Sequence, residues 1–310
     1  MNRLTQGVAA ANTAAMDDAT PLTQAEADAE AAFRLTRPAP AAFATPLICA
    51  SPHSGRIYPE AMMAASQLDR RTIRRSEDAL VDELIAAAPA CGHTVLAAQY
   101  ARAFIDVNRE PWELDPLMFE DELPAFARAR TARVAAGLGS IARIVCEGQE
   151  IYARKLTFAE AEARVRQVHQ PYHLALSALL GEAKARFGVA ILIDWHSMPA
   201  AAAGGRGGEP CDVVLGDRFG SACSSLVSGL VERTLEAMGY RVARNAPYAG
   251  GYTTEHYGRP GRKVHALQVE LNRALYFDET ELRPTAGFER VQSDLARLFE
   301  VLAKADWSGL

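Results

Sequence analysis

The chain has 310 residues, of which 49% are hydrophobic, and its mean hydropathy is close to zero at −0.07. Such a chain is long enough to build a large core, as one α/β domain or two closely joined ones. A net charge of −5 and a pI near 5.9 argue against nucleic acid as a partner. No apolar run approaches the roughly 20 residues that span a bilayer, and no secretion-signal pattern opens the chain, so we expect a cytoplasmic protein without a membrane partner.

Two features of composition concern the ends and the redox state of the chain. Residues 1–30 are rich in Ala, Thr, Asp and Gln, and we predict a flexible N-terminal arm there, followed by a single domain over 31–310. The cysteines are odd in number and widely spaced, without a C-x-x-C pair. We therefore expect reduced thiols at all five positions, which are Cys49, Cys91, Cys146, Cys211 and Cys223.

The first half of the chain alternates apolar runs with helix signals. A short buried strand is predicted over 46–50 and ends in a Pro-His-Ser-Gly turn. A helix is predicted over 76–92 with Ser76 as its N-cap. The run 93–100 is predicted as a strand, and 103–109 as a strand-end loop.

The second half continues the alternation. Apolar spacing over 157–187 predicts long helices interrupted near Pro171, followed by the strand "VAILIDWHS" at 189–197. A helix at about 220–238, a Gly-rich loop over 245–261 and the strand "VHALQVELN" complete the pattern. Strands alternating with helices favour an α/β sandwich with a mostly parallel or mixed sheet.

Two histidines leave their strands at equivalent positions. His53 follows the strand at 46–50, and His196 lies near the end of "ILIDWHS". Open α/β sheets place their sites at the ends of strands, so the two imidazoles converge if these strands are neighbours. Two histidines, a carboxylate and one open position form a recurring ligand set for catalytic zinc.

The carboxylate of that set has three candidates in one short segment. Asp78 is predicted in the first turn of the helix after the His53 loop, while Glu77 and Asp82 compete with it. Glu77 and Asp78 also fit a simpler role, in which they complement the helix dipole. Asp194, two residues before His196, is placed to hydrogen-bond an imidazole or to serve as a polar anchor in the core.

Glu270 stands near the end of an apolar strand, on the same face as Gln268. A carboxylate in such a position is rarely buried without a partner or a function. Beside a metal ion it would take a proton from water and return it to a leaving amine.

Arginines in "RAFIDVNR" indicate an acidic substrate. Arg109 beside Asn108 offers donors that match a carboxylate, and Arg102 begins the segment. The alternative is a structural pair in which Asp106 or Glu110 satisfies Arg109.

The helical spacing of His169 and His173 also resembles a metal pair. The sequence "HQPYH" lacks the glutamate of H-E-x-x-H, and Pro171 disturbs the helix, so packing or site lining is the better interpretation.

Six segments in order resemble the N-formylglutamate amidohydrolase family, and the match covers roughly residues 45–280. The segments are "SPHSG", "DALVDEL", "RAFIDVNR", "DWHSMP", "NAPYAGGYTTEHYG" and "LQVELNRALY". The resemblance implies a three-layer α/β/α sandwich with a mixed, largely parallel sheet, zinc-peptidase-like and phosphorylase/hydrolase-like, related to metallocarboxypeptidases and aspartoacylase. It further implies a single metallohydrolase domain over 31–310 that binds one zinc ion and acts on a small-molecule acyl amino acid. The implied reaction converts N-formyl-L-glutamate to formate and L-glutamate, in histidine degradation.

The resemblance also assigns roles to individual residues. His53, His196 and Asp78 correspond to metal ligands, although the peptidase relatives usually place an acid three residues after the first histidine, where this chain has Arg56. Glu270 corresponds to the general base. The resemblance assigns the substrate's α-carboxylate to Asn108 and Arg109, and the pocket wall to Tyr248, Gly250, Gly251 and Tyr252. In the reaction so implied, a positive donor such as Arg102 would stabilise the oxyanion.

Two other functions are kept as alternatives. The first is a deacylase, amidase or peptidase of the same fold that acts on a different acyl amino acid or small peptide, with the same catalytic residues. The second is a binding protein without turnover, which predicts that a ligand or the base is missing.

Overall fold

The structure is a computed structural model that describes residues 31–38, 44–145, 148–204 and 210–310. From Ala32 onward these residues belong to one compact unit. The predicted arm of residues 1–30 and Cys146 lie outside the described residues, and the other four cysteines are free thiols. None of the described helices combines the length and apolar character needed to span a membrane.

A seven-stranded mixed sheet forms the centre of the described part of the chain. Its strands lie in the order β1-β3-β2-β4-β7-β5-β6, and a small hairpin of β8 and β9 stands apart. The pairs β2–β3, β2–β4, β4–β7 and β5–β6 are parallel, whereas β1–β3 and β5–β7 are antiparallel. The strands are β1 (Phe33–Thr36), β2 (Leu47–Ser51), β3 (Thr94–Ala98), β4 (Ala190–Met198), β5 (Val213–Gly216), β6 (Val242–Arg244), β7 (Val264–Asn272), β8 (Phe277–Asp278) and β9 (Arg283–Pro284).

Helices connect these strands. The described α-helices are α1 (Glu60–Ala65), α2 (Arg70–Arg74), α3 (Val81–Leu84), α4 (Ala132–Ala135), α5 (Phe158–Arg164), α6 (Gln170–Phe187), α7 (Ser225–Ala237), α8 (Tyr252–Tyr257) and α9 (Phe288–Lys304). Short 3-10 turns occur at Ala88–Cys91, Pro116–Met118, Ala200–Ala202, Pro260–Arg262 and Arg273–Leu275.

The central strands are buried on both faces. On one face, Ile191, Ile193 and Trp195 of β4 join a core that includes residues of α3, α7 and α9. On the other face, Ala190 and Leu192 join residues of α1, α2 and α6. The predicted three-layer α/β/α sandwich with a mixed, largely parallel sheet is therefore confirmed. The continuous apolar character of β4 follows from this double burial.

The prediction of a helix over 76–92 is wrong for most of that segment. A turn occupies 75–80, the α-helix covers only Val81–Leu84, and a 3-10 turn follows at Ala88–Cys91. Leu80 breaks the helix because its φ of 60° lies in the left-handed region. The Ser76 hydroxyl donates to the Ile73 carbonyl at 2.8 Å and does not cap a helix.

One further prediction needs correction, because the Gly-rich loop contains α8. Residues 103–109 form turns, in agreement with the predicted strand-end loop. The interruption near Pro171 is confirmed as a π-turn over Val165–His169, which leads directly into α6. A single π-turn inside a helical run is a feature often found at functional sites.

Candidate metal centre and substrate cavity

The two predicted histidines meet at the carboxyl ends of adjacent parallel strands. β2 pairs with β4, so the loop after β2 brings His53 to His196 in the last part of β4. Their Nδ1 atoms are 3.0 Å apart, and both side chains are buried. Convergence therefore follows from the strand order, as the positions of the two residues predicted.

Asp78 completes a compact group of three possible ligands. Its Oδ2 atom lies 2.9 Å from Nδ1 of His196 and 3.2 Å from Nδ1 of His53. The backbone N–H of Asp78 donates to the His53 carbonyl at 3.0 Å, which ties the turn 75–80 to the histidine loop. One nitrogen from each histidine and one Asp78 oxygen all lie within 4.8 Å of one another, an arrangement that could hold a metal ion.

The two competing acids face other partners. Glu77 accepts hydrogen bonds from the Tyr58 hydroxyl at 2.8 Å and from Nε of Arg74 at 3.0 Å. Asp82 accepts from Arg56 at 2.6 Å and from Arg34 at 3.1 Å. Arg56, at the position where the peptidase relatives carry an acid, thus points to a surface ion pair.

The outer nitrogens of both imidazoles lie against carboxylates. Nε2 of His53 is 2.6 Å from Oδ1 of Asp106, and Nε2 of His196 is 3.1 Å from Oδ2 of Asp194. The contact between His196 and Asp194 is within ion-pair distance but is not a hydrogen bond. Both Asp194 oxygens lack a hydrogen-bond partner within the described residues. Carboxylates in these positions orient metal-binding imidazoles. Asp194 was anticipated in this role, whereas Asp106 was expected only as a partner of Arg109.

The donor set fits a cation. A carboxylate accepts and does not donate, so the Asp106 contact places the proton of a neutral His53 on Nε2 and leaves an unshared pair on Nδ1. That pair faces Oδ2 of Asp78 at 3.2 Å, and two electron-rich buried atoms at this distance need a proton or a cation between them. Two imidazole nitrogens and one carboxylate oxygen are also the ligand types of catalytic zinc sites.

The pKa shifts of His196 and Asp78 also indicate that these buried groups require a positive charge between them. Burial by itself lowers the pKa of His196, but the negative charge of Asp194 and the close contacts with Asp194 and Asp78 outweigh burial and hold that pKa well above its usual value. Burial by itself raises the pKa of Asp78, yet His53 and His196 hold it well below its ordinary range.

Two arginines bind the outer oxygen of Asp78. Oδ1 accepts from Nη2 of Arg273 at 3.1 Å and lies 3.5 Å from Nη1 of Arg102. Arg102 also donates to Oδ2 of Asp106 at 2.7 Å, so it joins the carboxylates on both sides of His53. Arg273 was not among the predicted site residues, although its place directly after the strand "VHALQVELN" was an available signal.

Glu270 lies beside His196 across the β4–β7 pair, where the two residues are register partners. Its Oε1 accepts from Nε2 of Gln268 at 2.8 Å. Burial, the largest influence, raises the pKa of Glu270 to about 7, with the Asp78 charge adding to the rise and His196, Arg102 and Arg273 opposing it. A pKa near neutrality suits a group that must both accept and return a proton.

The predicted carboxylate clamp lies close to the histidines. Nδ2 of Asn108 is 3.1 Å from Nε2 of His196, and its Oδ1 accepts from the Thr253 N–H at 2.8 Å. Arg109 donates through Nη1 to the Asn108 carbonyl at 2.8 Å and through Nε to Leu138. The Asn108 side chain therefore contacts His196 and α8, while the Arg109 side chain reaches the cavity wall.

A cavity of about 600 Å³ connects these groups. Tyr248, Gly250 and Gly251 line it as predicted, whereas Tyr252 lines a neighbouring groove. Positive charge dominates the wall, which suits an anionic ligand. The arginines that line the cavity are Arg75, Arg102, Arg109, Arg133 and Arg273.

Comparisons with known proteins agree with these features. A family model described as N-formylglutamate amidohydrolase matches residues 45–277. Proteins named N-formylglutamate deformylase are 30% identical over 250 residues in Pseudomonas putida and over 238 in Pseudomonas aeruginosa. Each of these alignments covers 76% of this chain and 83% of the relative.

A solved structure shares both fold and sequence with this chain. The crystal structure of N-formylglutamate amidohydrolase from Ralstonia eutropha JMP134 superposes with a TM-score of 0.85 at 37% identity. The superposition covers 90% of this chain and 100% of that structure. The chain therefore belongs to the N-formylglutamate amidohydrolase family.

Proposed function

We propose that this protein is a zinc-dependent deformylase that converts N-formyl-L-glutamate to formate and L-glutamate. The observation that carries the proposal is the convergence of His53, His196 and Asp78 beside Glu270, in a cavity lined by arginines. The relatives named N-formylglutamate deformylase support the choice of substrate.

His53, His196 and Asp78 are the proposed metal ligands. A zinc ion held there would polarise the formyl carbonyl and lower the pKa of water toward about 7. Asp106 and Asp194 hold the two imidazoles from outside, and Arg273 holds the outer oxygen of Asp78. These contacts keep the three ligand atoms directed at one point.

Glu270 is the proposed general base and acid. Its carboxylate accepts a proton from the water that attacks the formyl carbon, and it later returns that proton to the leaving nitrogen. Arg102 supplies positive charge close to the developing oxyanion. The C–N bond breaks to give formic acid and the free amine, the acid passes its proton to the amine, and formate and L-glutamate leave.

Asn108 and Arg109 are proposed to hold the α-carboxylate of the substrate. The hydrogen bonds of Arg109 within the described part of the chain use Nη1 and Nε, which leaves Nη2 for a carboxylate. The other arginines of the wall favour a second carboxylate, as in a glutamate side chain. Fixing both ends of the substrate places the formyl group at the reacting position.

Formate release from a panel of substrates tests this proposal. We expect the zinc-loaded protein to hydrolyse N-formyl-L-glutamate faster than N-formylglycine or N-acetyl-L-glutamate. His196→Ala should abolish activity and zinc retention, whereas the matched change His93→Ala should leave both intact, because the buried His93 contacts Phe299 and Thr45 away from the cavity. Preference for the acetyl substrate would favour the alternative deacylase, and zinc-loaded protein inactive on every substrate would favour the binding protein.

A further inference from the structure

Two histidines outside the cavity hold the carbonyl groups on either side of Asn108. Nε2 of His173 is 2.7 Å from the Val107 carbonyl, and Nε2 of His169 is 2.9 Å from the Arg109 carbonyl. The sequence pattern of these histidines resembled a metal pair, but neither residue lines the cavity. The structure therefore gives them a different relation to the site.

The chemistry of these contacts fixes the direction of the hydrogen bonds. A carbonyl oxygen only accepts, so each ring must carry its proton on Nε2 and donate it. Burial lowers the pKa of both histidines, to about 3 for His173, so both rings are neutral near pH 7. The Tyr257 hydroxyl lies 2.9 Å from Nδ1 of His173, where it can donate to the free ring nitrogen.

Local helix geometry brings the two rings together. The π-turn Val165–His169 ends at His169, and α6 begins at the next residue. Residues four apart on a helix share a face, and the two ring centroids are 4.4 Å apart. The two rings therefore pack against each other and contact the segment 107–109 through the Val107 and Arg109 carbonyls.

That segment carries the proposed substrate clamp. The Asn108 N–H donates to Oδ1 of Asp106 at 2.8 Å, and the Arg109 N–H donates to the Asp106 carbonyl at 3.2 Å. The Asn108 side chain meets His196, and the Arg109 side chain lines the cavity. A shift of this backbone would therefore move both clamp side chains at once.

We propose that His169 and His173 are positioning residues that hold the Asn108–Arg109 backbone, so that these side chains select substrates with an α-carboxylate. The proposal rests on the proposed function for its substrate. It predicts a loss of substrate discrimination, which a general loss of stability does not produce.

The test compares two substrates that differ only at the α-carbon. N-formyl-L-glutamate carries the α-carboxylate, and 4-formamidobutanoate lacks it while keeping the formamide and the other carboxylate. For His169→Leu and His173→Leu, kcat/KM for N-formyl-L-glutamate should fall roughly ten- to a hundredfold, mainly through KM, because misplacement of a clamp has effects of this size. For 4-formamidobutanoate it should change less than about threefold.

Matched variants separate positioning from stability. His169→Gln and His173→Gln keep a side-chain N–H donor and should recover most of the discrimination. His93→Leu removes another buried histidine that contacts a backbone carbonyl, that of Phe299 at 3.0 Å, and should leave the ratio of the two kcat/KM values unchanged. A parallel fall for both substrates in the Leu variants, or a failure of the Gln variants to restore discrimination, would overturn the proposal.

Hydrogen exchange gives a readout that does not depend on the substrate. The amides of Asn108 and Arg109 should exchange faster in both Leu variants than in wild type and His93→Leu. Wild type that releases no formate would refute the proposed function, while unchanged exchange at these amides would refute the positioning role itself.

Discussion

The three acids at 77–82 give the most discriminating test of the metal centre. We predict that Asp78→Asn lowers the affinity for zinc, whereas Glu77→Gln and Asp82→Asn do not. Asp78 contacts Nδ1 of both histidines, while Glu77 binds Tyr58 and Arg74 and Asp82 binds surface arginines. The three variants therefore compare acids that lie close together in the sequence but whose side chains contact different partners.

The magnitude follows from the position of Asp78. Removing a residue that hydrogen-bonds a metal ligand reduces metal affinity by about 10- to 100-fold. Removing the ligand itself should therefore reduce zinc affinity by more than about 100-fold, which corresponds to about 2.7 kcal/mol. The same change removes one of two carboxylate partners of the buried Arg273, Asp78 at 3.1 Å, while Glu279 at 3.4 Å remains. Breaking a buried ion pair completely costs about 3–5 kcal/mol, so the metal-free variant should unfold more easily, by less than this amount.

Two assays measure these effects separately. Competition with a chromophoric chelator gives the zinc dissociation constant of folded protein, and urea titration in the presence of chelator gives the free energy of unfolding of the metal-free form. Circular dichroism confirms that each variant is folded before the competition. Wild-type zinc affinity in Asp78→Asn, or a loss of affinity in Asp82→Asn, would refute the assignment of the third ligand.

Three further predictions concern other parts of the structure. Glu270→Gln should lower kcat about 10²- to 10⁴-fold while zinc content by elemental analysis stays unchanged, and an unchanged kcat would contradict the role of Glu270. In wild type, kcat/KM should fall as the pH drops through the pKa of Glu270, which is about 7 without metal and lower beside a cation. Hydrogen bonds and charge from Arg154 lower the pKa of Glu160 to about 2, so its stabilisation is complete above about pH 4.5 and is lost as pH falls toward 2. Glu160→Gln should therefore destabilise by about 1 kcal/mol at pH 7 and progressively less below about pH 4.5 in urea titrations, and a constant difference would contradict this linkage. In Gly251→Ala, the added Cβ would stand 2.6 Å from Nδ2 of Asn108, so KM for N-formyl-L-glutamate should rise, and a wild-type KM would argue against the clamp.

The central fold could be predicted where burial dominates the choice of residues. The strand β7 covers Val264–Asn272 as expected, because its alternation places Leu267 and Val269 in one core and Ala266 in the other. The strand β1 (Phe33–Thr36) lies at the sheet edge with three exposed residues, so it carries little apolar pattern. Tertiary pairing with β3 defines that strand.

Predictions failed where distant contacts determine the backbone. The segment 76–92 has helical spacing, but the left-handed Leu80 and the bond from Asp78 N–H to the His53 carbonyl impose a turn. Helix α8 interrupts a Gly-rich segment, where Oδ1 of Asn108 accepts from Thr253 in its first turn. Neither contact is encoded in local spacing.

The candidate site shows the same division. His196 and Glu270 lie on adjacent strands and His53 lies two residues after the end of β2, so their convergence follows from the strand order. The contact of Asp106 with His53 joins residues 53 positions apart, and Asp106 lies in the loop over 103–109. Such pairs depend on the completed fold, which local periodicity does not describe.

Removal and restoration of the metal test the central claim most directly. The protein should be stripped with a chelator, shown to remain folded, and assayed for formate release from N-formyl-L-glutamate before and after addition of zinc. We predict that the stripped protein is inactive and that about one equivalent of zinc per chain restores activity, as expected for a single three-ligand site. Full activity in stripped protein that contains no metal by elemental analysis would contradict metal-dependent hydrolysis at His53, His196 and Asp78.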